Sequence, residues 1–149
     1  MGGRSRRDAG RLPAPLSSQF MILVDTSVWI EVFRRNKPLD LESITPLEEV
    51  ATCLPVIQEV LQGFRDDAAF RRARAAMFSL RVVEAPLEER VYREAVDLYR
   101  LARKAGVTVR SSADCLIAVC AIRHDLEILH RDRDFAHLAR VSTLRVRET

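Results

Sequence analysis

The sequence predicts an α/β fold built on a mainly parallel sheet. Short apolar runs near residues 20–24, 50–54, 81–83 and 126–130 have the length of strands, and the first is apolar throughout, as a strand buried on both faces is. Segments with helical spacing or helix-start signals separate these runs, and such alternation builds parallel sheets. The first run ends abruptly in Asp25, a charge that is costly to bury unless it is paired or bound to a metal. With 149 residues, the chain suits one domain with one core.

Residues 1–19 are rich in Gly, Ser, Pro and Arg without periodicity, so they read as a disordered or dispensable arm before a domain at 20–149. Met21 stands directly before the first strand and is the expected functional start. Val28 to Phe33 fits a short helix with Ser27 as its N-cap. It stops in the polar breaker Arg34-Arg35-Asn36-Lys37-Pro38. After the second strand, Pro55 suits the first turn of a helix that carries Glu59 and ends near Gly63. A basic amphipathic helix is expected over 67–80. Pro86 opens a long helix whose apolar positions Val91, Ala95, Leu98 and Ala102 keep helical spacing, with Gly106 beyond its end. Ser111 begins an almost wholly apolar helix through Ile122. A strand at 126–130 leads into Arg131-Asp132-Arg133-Asp134-Phe135, and residues 143–146 suit a last strand.

Composition removes several classes. The longest apolar run inside a helical pattern, 115–122, is too short to span a bilayer, and the N-terminal stretch makes a poor signal peptide, so a cytoplasmic protein without a membrane role is expected. Cys53, Cys115 and Cys120 form no C-x-x-C pair and read as reduced, buried thiols. His124, His130 and His137 form no ligand cluster. Gly is too sparse for a nucleotide-binding fingerprint. The net charge of +3 resides entirely in residues 1–20, which hold four arginines and one aspartate. The rest is neutral overall, so any nucleic-acid binding must use local basic patches or a metal site.

The chemistry lies in the acids. Asp25 follows the first strand, Glu59 lies early in the helix after the second, Asp114 opens the apolar helix, and Asp132 and Asp134 follow the strand ending at His130. In a parallel sheet, strand C-termini and the N-termini of the following helices share one edge, where ligands bind. Four distant acids can meet there. Hard cations such as Mg²⁺ or Mn²⁺ favour carboxylate oxygens. With such an ion, the group can orient water and stabilise a phosphodiester undergoing in-line displacement. Each acid alone also has an ordinary reading. Asp25 suits an N-cap, Ser111-x-x-Asp114 a capping box, Glu59 a solvated helix position, and Asp132/Asp134 an Asp-rich turn. Their placement at one edge carries the argument.

The run Met21-Ile22-Leu23-Val24-Asp25-Thr26-Ser27-Val28-Trp29-Ile30 resembles the opening of PIN-domain proteins. Pro55 to Gly63, Ser112-Ala113-Asp114-Cys115 and Leu129 to Phe135 resemble the segments carrying that family's other acids. Over 21–146 the chain is similar to VapC-type toxins of bacterial toxin–antitoxin pairs. The resemblance implies a PIN-like three-layer α/β/α fold and a Mg²⁺- or Mn²⁺-dependent endoribonuclease. It also implies inhibition by a VapB-like antitoxin and a homodimer. Asp25, Glu59 and Asp114 would be metal ligands and catalytic acids. Asp132 would be the fourth, with Asp134 as the alternative. Hydrolysis would leave a 5′-phosphate and a 3′-hydroxyl. An inhibiting antitoxin would cover the acidic groove with a helix and an arginine.

Around the acids, Thr26 and Ser27 are candidates to hydrogen-bond a ligand carboxylate or water. Arg110 and Arg131, with Arg133 nearby, are candidates for RNA phosphates. Arg71, Arg72, Arg74 and Arg81 read as a solvated face. Trp29 is weighed as a base-stacking residue but suits packing better. A haloacid-dehalogenase-like phosphatase would need a second Asp where Ser27 stands, and a receiver domain would need an adjacent acid pair after the first strand. A catalytically silent PIN scaffold binding RNA or protein is the alternative to the enzyme.

Overall fold

The computed structural model describes residues 21–149, so the arm at 1–19 and Phe20 lie outside it. Five parallel strands form one sheet: β1 (Ile22–Val24), β2 (Val50–Cys53), β3 (Arg81–Val83), β4 (Glu127–His130) and β5 (Arg145–Glu148), in the order β3-β2-β1-β4-β5. Six helices flank it in an α/β/α arrangement: α1 (Thr26–Val32), α2 (Leu54–Gln62), α3 (Asp67–Ser79), α4 (Glu89–Lys104), α5 (Ser112–Arg123) and α6 (Arg133–Arg140).

β1 is the centre because it can be apolar on both faces. Ile22 and Leu23 pair with Val50 and Ala51 of β2, while Ile22, Leu23 and Val24 pair with Glu127, Ile128 and Leu129 of β4. All three β1 residues are buried, whereas β5, at the edge, alternates Arg, Val, Arg, Glu and is mostly exposed. The apolar helix α5 buries seven of its residues, including Ile117, Ala118 and Cys120, and packs along α4. Trp29 is buried and donates its indole N–H to the Val24 carbonyl at 3.1 Å, so it is a packing residue. The three cysteines are buried and free. Among the described residues, no helix is long and apolar enough to cross a membrane.

Several boundaries differ from expectation for local reasons. α1 starts at Thr26, because Asp25 rather than Ser27 is the N-cap and accepts the Ser27 N–H at 3.0 Å. Leu54 belongs to α2, which puts Pro55 in its first turn. The long helix begins at Glu89 instead of Pro86, after Glu84 takes a positive φ of 51°. The last strand lies two residues later than 143–146, because the Ser142 hydroxyl holds the Leu144 N–H and closes α6 first.

Candidate active site

The strand order reverses beside β1: α1 leads to β2 on one side, while the return through α4 and α5 places β4 on the other. A crevice forms beyond the strand C-termini at such a switch point. Asp25 leaves β1 on one side of it, and Asp132 and Asp134 follow β4 on the other. Asp114 enters from the first turn of α5 and Glu59 from α2.

Backbone, hydroxyl and guanidinium donors hold four of the five acids, each by one oxygen. Asp25 Oδ2 accepts the Ser27 N–H at 3.0 Å and the Ser27 hydroxyl at 2.6 Å. The same hydroxyl accepts the Arg131 N–H at 3.0 Å, tying α1 to the loop after β4. The Thr26 hydroxyl donates to Glu59 Oε1 at 3.0 Å. Asp132 is the N-cap of α6; its Oδ1 accepts the Asp134 N–H at 3.0 Å and Arg110 Nη2 at 3.1 Å. Asp134 Oδ2 accepts Arg110 Nε at 3.2 Å and the Arg110 N–H at 3.3 Å. Asp114 differs: its Oδ2 is buried with no hydrogen-bond partner, and Ser111 caps α5 by position only, without a side-chain bond.

Asp25, Asp114 and Asp134 are 3%, 5% and 2% exposed, so three carboxylates are buried within one crevice. Oxygens of Asp114, Asp132 and Asp134 lie within 4.8 Å of one another. Burial, reinforced by Asp132, Asp25, Glu59 and Asp134, pushes the Asp114 carboxyl up to about 7. Burial also raises Asp25 against the hydrogen bonds from Ser27, and raises Glu59 against the bond from Thr26. Arg110 answers part of this charge, and its own pKa is raised by Asp134 and then Asp132. Buried, mutually repelling oxygens with one left unpartnered fit a hard divalent cation.

The candidate residues thus separate by what they touch. Thr26 and Ser27 spend their hydroxyls on Glu59 and Asp25. Arg110 lies on the acids. The Arg131 side chain instead donates to Thr149 at 2.7 Å and lies 3.7 Å from Glu31. His137, one of three histidines that form no ligand cluster in the sequence, stands with its Nδ1 4.0 Å from Asp134 Oδ1. The i, i+3 spacing from Asp134 was the available signal.

Fold and crevice together define an α/β protein with an acidic cluster at the switch point of a parallel sheet. The chain belongs to the PIN-domain family, whose match covers residues 22–141, and to its VapC group. It is 42% identical over 132 residues to VapC ribonuclease Mb1587 of Mycobacterium bovis, covering 83% of this chain and 96% of that protein. The figures for ribonuclease VapC11 of Mycobacterium tuberculosis are the same: 42% identity, 83% and 96% coverage. Its fold is similar to the crystal structure of VapBC-5, a member of the VapBC family of toxin–antitoxin systems from Mycobacterium tuberculosis. There the TM-score is 0.65 at 22% identity, covering 87% of this chain and 99% of that one.

Proposed function

We propose that this protein is the endoribonuclease toxin of a toxin–antitoxin pair, hydrolysing RNA phosphodiester bonds with Mg²⁺ or Mn²⁺ in the cytoplasm. The observation that carries the reading is the meeting of Asp114, Asp132 and Asp134 within 4.8 Å, with a buried Asp114 oxygen left unpartnered and the charges of Asp25 and Glu59 felt at the same carboxyl. Asp25, Glu59, Asp114 and Asp132 are the residues we assign to the metal, with Asp134 as a further ligand. When bound, the ion supplies water activation and neutralisation of the charge that develops on the phosphate. The chain's own part is positioning. Ser27 and Thr26 hold Asp25 and Glu59, and Arg110 holds Asp132 and Asp134. Likeness to relatives named as ribonucleases, matched over 96% of their length, supports RNA as the substrate.

The likeness to a VapBC structure supports a VapB-like antitoxin. An apolar groove of about 420 Å³, lined by Trp29, Ile30, Phe33, Val60 and Phe64, fits the apolar face of such a partner. It lies on α1 and α2, the helices that lead from Asp25 and carry Glu59. For a homodimer, α4 offers an exposed row of Tyr92, Val96 and Tyr99.

Cleavage of single-stranded RNA by the purified protein tests the reading. We expect cleavage with Mg²⁺ or Mn²⁺, none after chelation, and a loss of at least about 100-fold in Asp25→Asn. Undiminished cleavage by metal-free Asp25→Asn would defeat the mechanism. RNA binding without cleavage under every metal condition would instead make the protein a silent scaffold.

A further inference from the structure

We infer that a basic pocket beside the acids binds a non-scissile phosphate of the RNA, in a subsite formed by Arg133, His137 and Arg140 together with Arg110. The inference rests on the endoribonuclease reading and adds to it how the strand is held.

The pocket, about 540 Å³, lies between the loop after α4 and the outer face of α6. Arg133, His137 and Arg140 reach it from α6, and Arg110 from the loop. Arg133, His137 and Arg140 follow at steps of four and three residues, the spacing that puts side chains on one helix face. Its sole lining acid, Asp134, is buried and already held by two donors from Arg110, so it presents little negative charge to the pocket. Arg133 and Arg140 are exposed and have no ion pair among the described residues. These two sit on a space that His137 and Arg110, the latter already paired with Asp132 and Asp134, also line. Arg103 and Lys104, in the last turn of α4, offset the partial negative charge of that helix end.

Location selects the ligand. Asp134 is at once a wall of this pocket and a member of the acidic cluster, so the pocket adjoins the reaction crevice. A strand placed with one phosphodiester at the acids can carry a neighbouring phosphate past this wall. Guanidinium forks match phosphate oxygens in pairs. The body of the protein is neutral overall, so this local cluster must supply attraction that bulk charge does not.

The test is steady-state cleavage of a defined single-stranded RNA by wild type and by Arg133→Gln/Arg140→Gln. We expect KM to rise about tenfold with kcat within twofold. The slope of log affinity against log salt should shrink by at least about 0.7, one phosphate on a single strand. A series of RNAs, each with one neutral methylphosphonate, then locates the contact. One non-scissile position should raise KM for wild type and add nothing in the double variant. The charge-matched Arg71→Gln/Arg72→Gln variant, changed on α3, should keep the wild-type KM. Wild-type KM and salt slope in the pocket variant would overturn the inference, as would an equal rise in the α3 variant. RNA kinetics left unchanged while antitoxin affinity falls would overturn it in favour of a protein-binding pocket. Failure of wild type to cut or bind any RNA would instead reject the endoribonuclease reading itself.

Discussion

The Ser27 hydroxyl gives its proton to Asp25 at 2.6 Å and takes the Arg131 N–H at 3.0 Å, so one small side chain sets the distance between the loops after β1 and β4. Ser27→Ala removes one of two donors to Asp25 and leaves an amide without its partner. We expect a stability loss of about 1–2 kcal/mol in denaturant unfolding. As a positioning residue, Ser27 should affect kcat and the affinity for Mn²⁺ more than KM for RNA, and Ser27→Thr, which keeps the hydroxyl, should recover both. Asp114 tests the electrostatics. Its folded carboxyl titrates near 7 against 3.8 for the ordinary group, so the metal-free fold keeps a proton that the unfolded chain releases. The stability this contributes is full below about pH 4 and lost as pH rises through about 7. Metal-free Asp114→Asn should therefore show a flatter melting profile across that window. At pH 8 it should gain about 1 kcal/mol, roughly 4 °C. Equal pH slopes for the two proteins in calorimetry would contradict this. The acids themselves were legible in sequence, because a carboxylate at the end of an apolar strand is a visible anomaly. Their holders were less so: that Ser27 reaches Arg131 across more than a hundred residues depends on the β1–β4 register, which no local pattern encodes.

At the scale of elements, apolar runs and helical spacing place the five strands and five of the six helices. Helix α6 reads only as an Asp-rich turn, because its first turn is polar, and one boundary error falls where side chains choose between neighbouring caps. Asp25 and Ser27 compete for the cap of α1, and the one whose backbone is extended wins, with φ −73° and ψ 158°. The strand order could not be read along the chain, because β4 joins β1 only after two helices have crossed the sheet. Helix α4 shows what periodicity adds. Val91, Ala95, Leu98 and Ala102 are buried against the core, while Tyr92, Val96 and Tyr99 form a second apolar row that stays exposed. A helix that is apolar on two faces implies a second contact. If that contact is another copy of the chain, Val96→Glu should turn a dimer into a monomer in sedimentation equilibrium while leaving the monomer's circular dichroism unchanged. A wild-type protein that sediments as a monomer at micromolar concentration would remove α4 as a dimer surface.

For the whole molecule, charge is divided by place. Beyond residue 20 the chain balances its acids and bases, yet the acids gather at the switch point and Arg133, His137 and Arg140 gather beside it. The four arginines of residues 1–20 stand apart from this division. The PIN-domain match, residues 22–141, and every group assigned to the crevice lie in the part that follows. A chain started at Met21 should then fold with a stability within about 1 kcal/mol of the full chain and cleave RNA with the same kcat. What it should lose is attraction that salt screens. With four cations and one anion removed, binding to RNA should weaken at low ionic strength and converge on the full-length value as salt is raised beyond about 0.2 M. Comparing kcat and KM of the two proteins across a salt series decides the point. A fall in kcat, or a loss of folding at any salt, would mean that residues 1–20 take part in the fold or the site and are more than a source of charge.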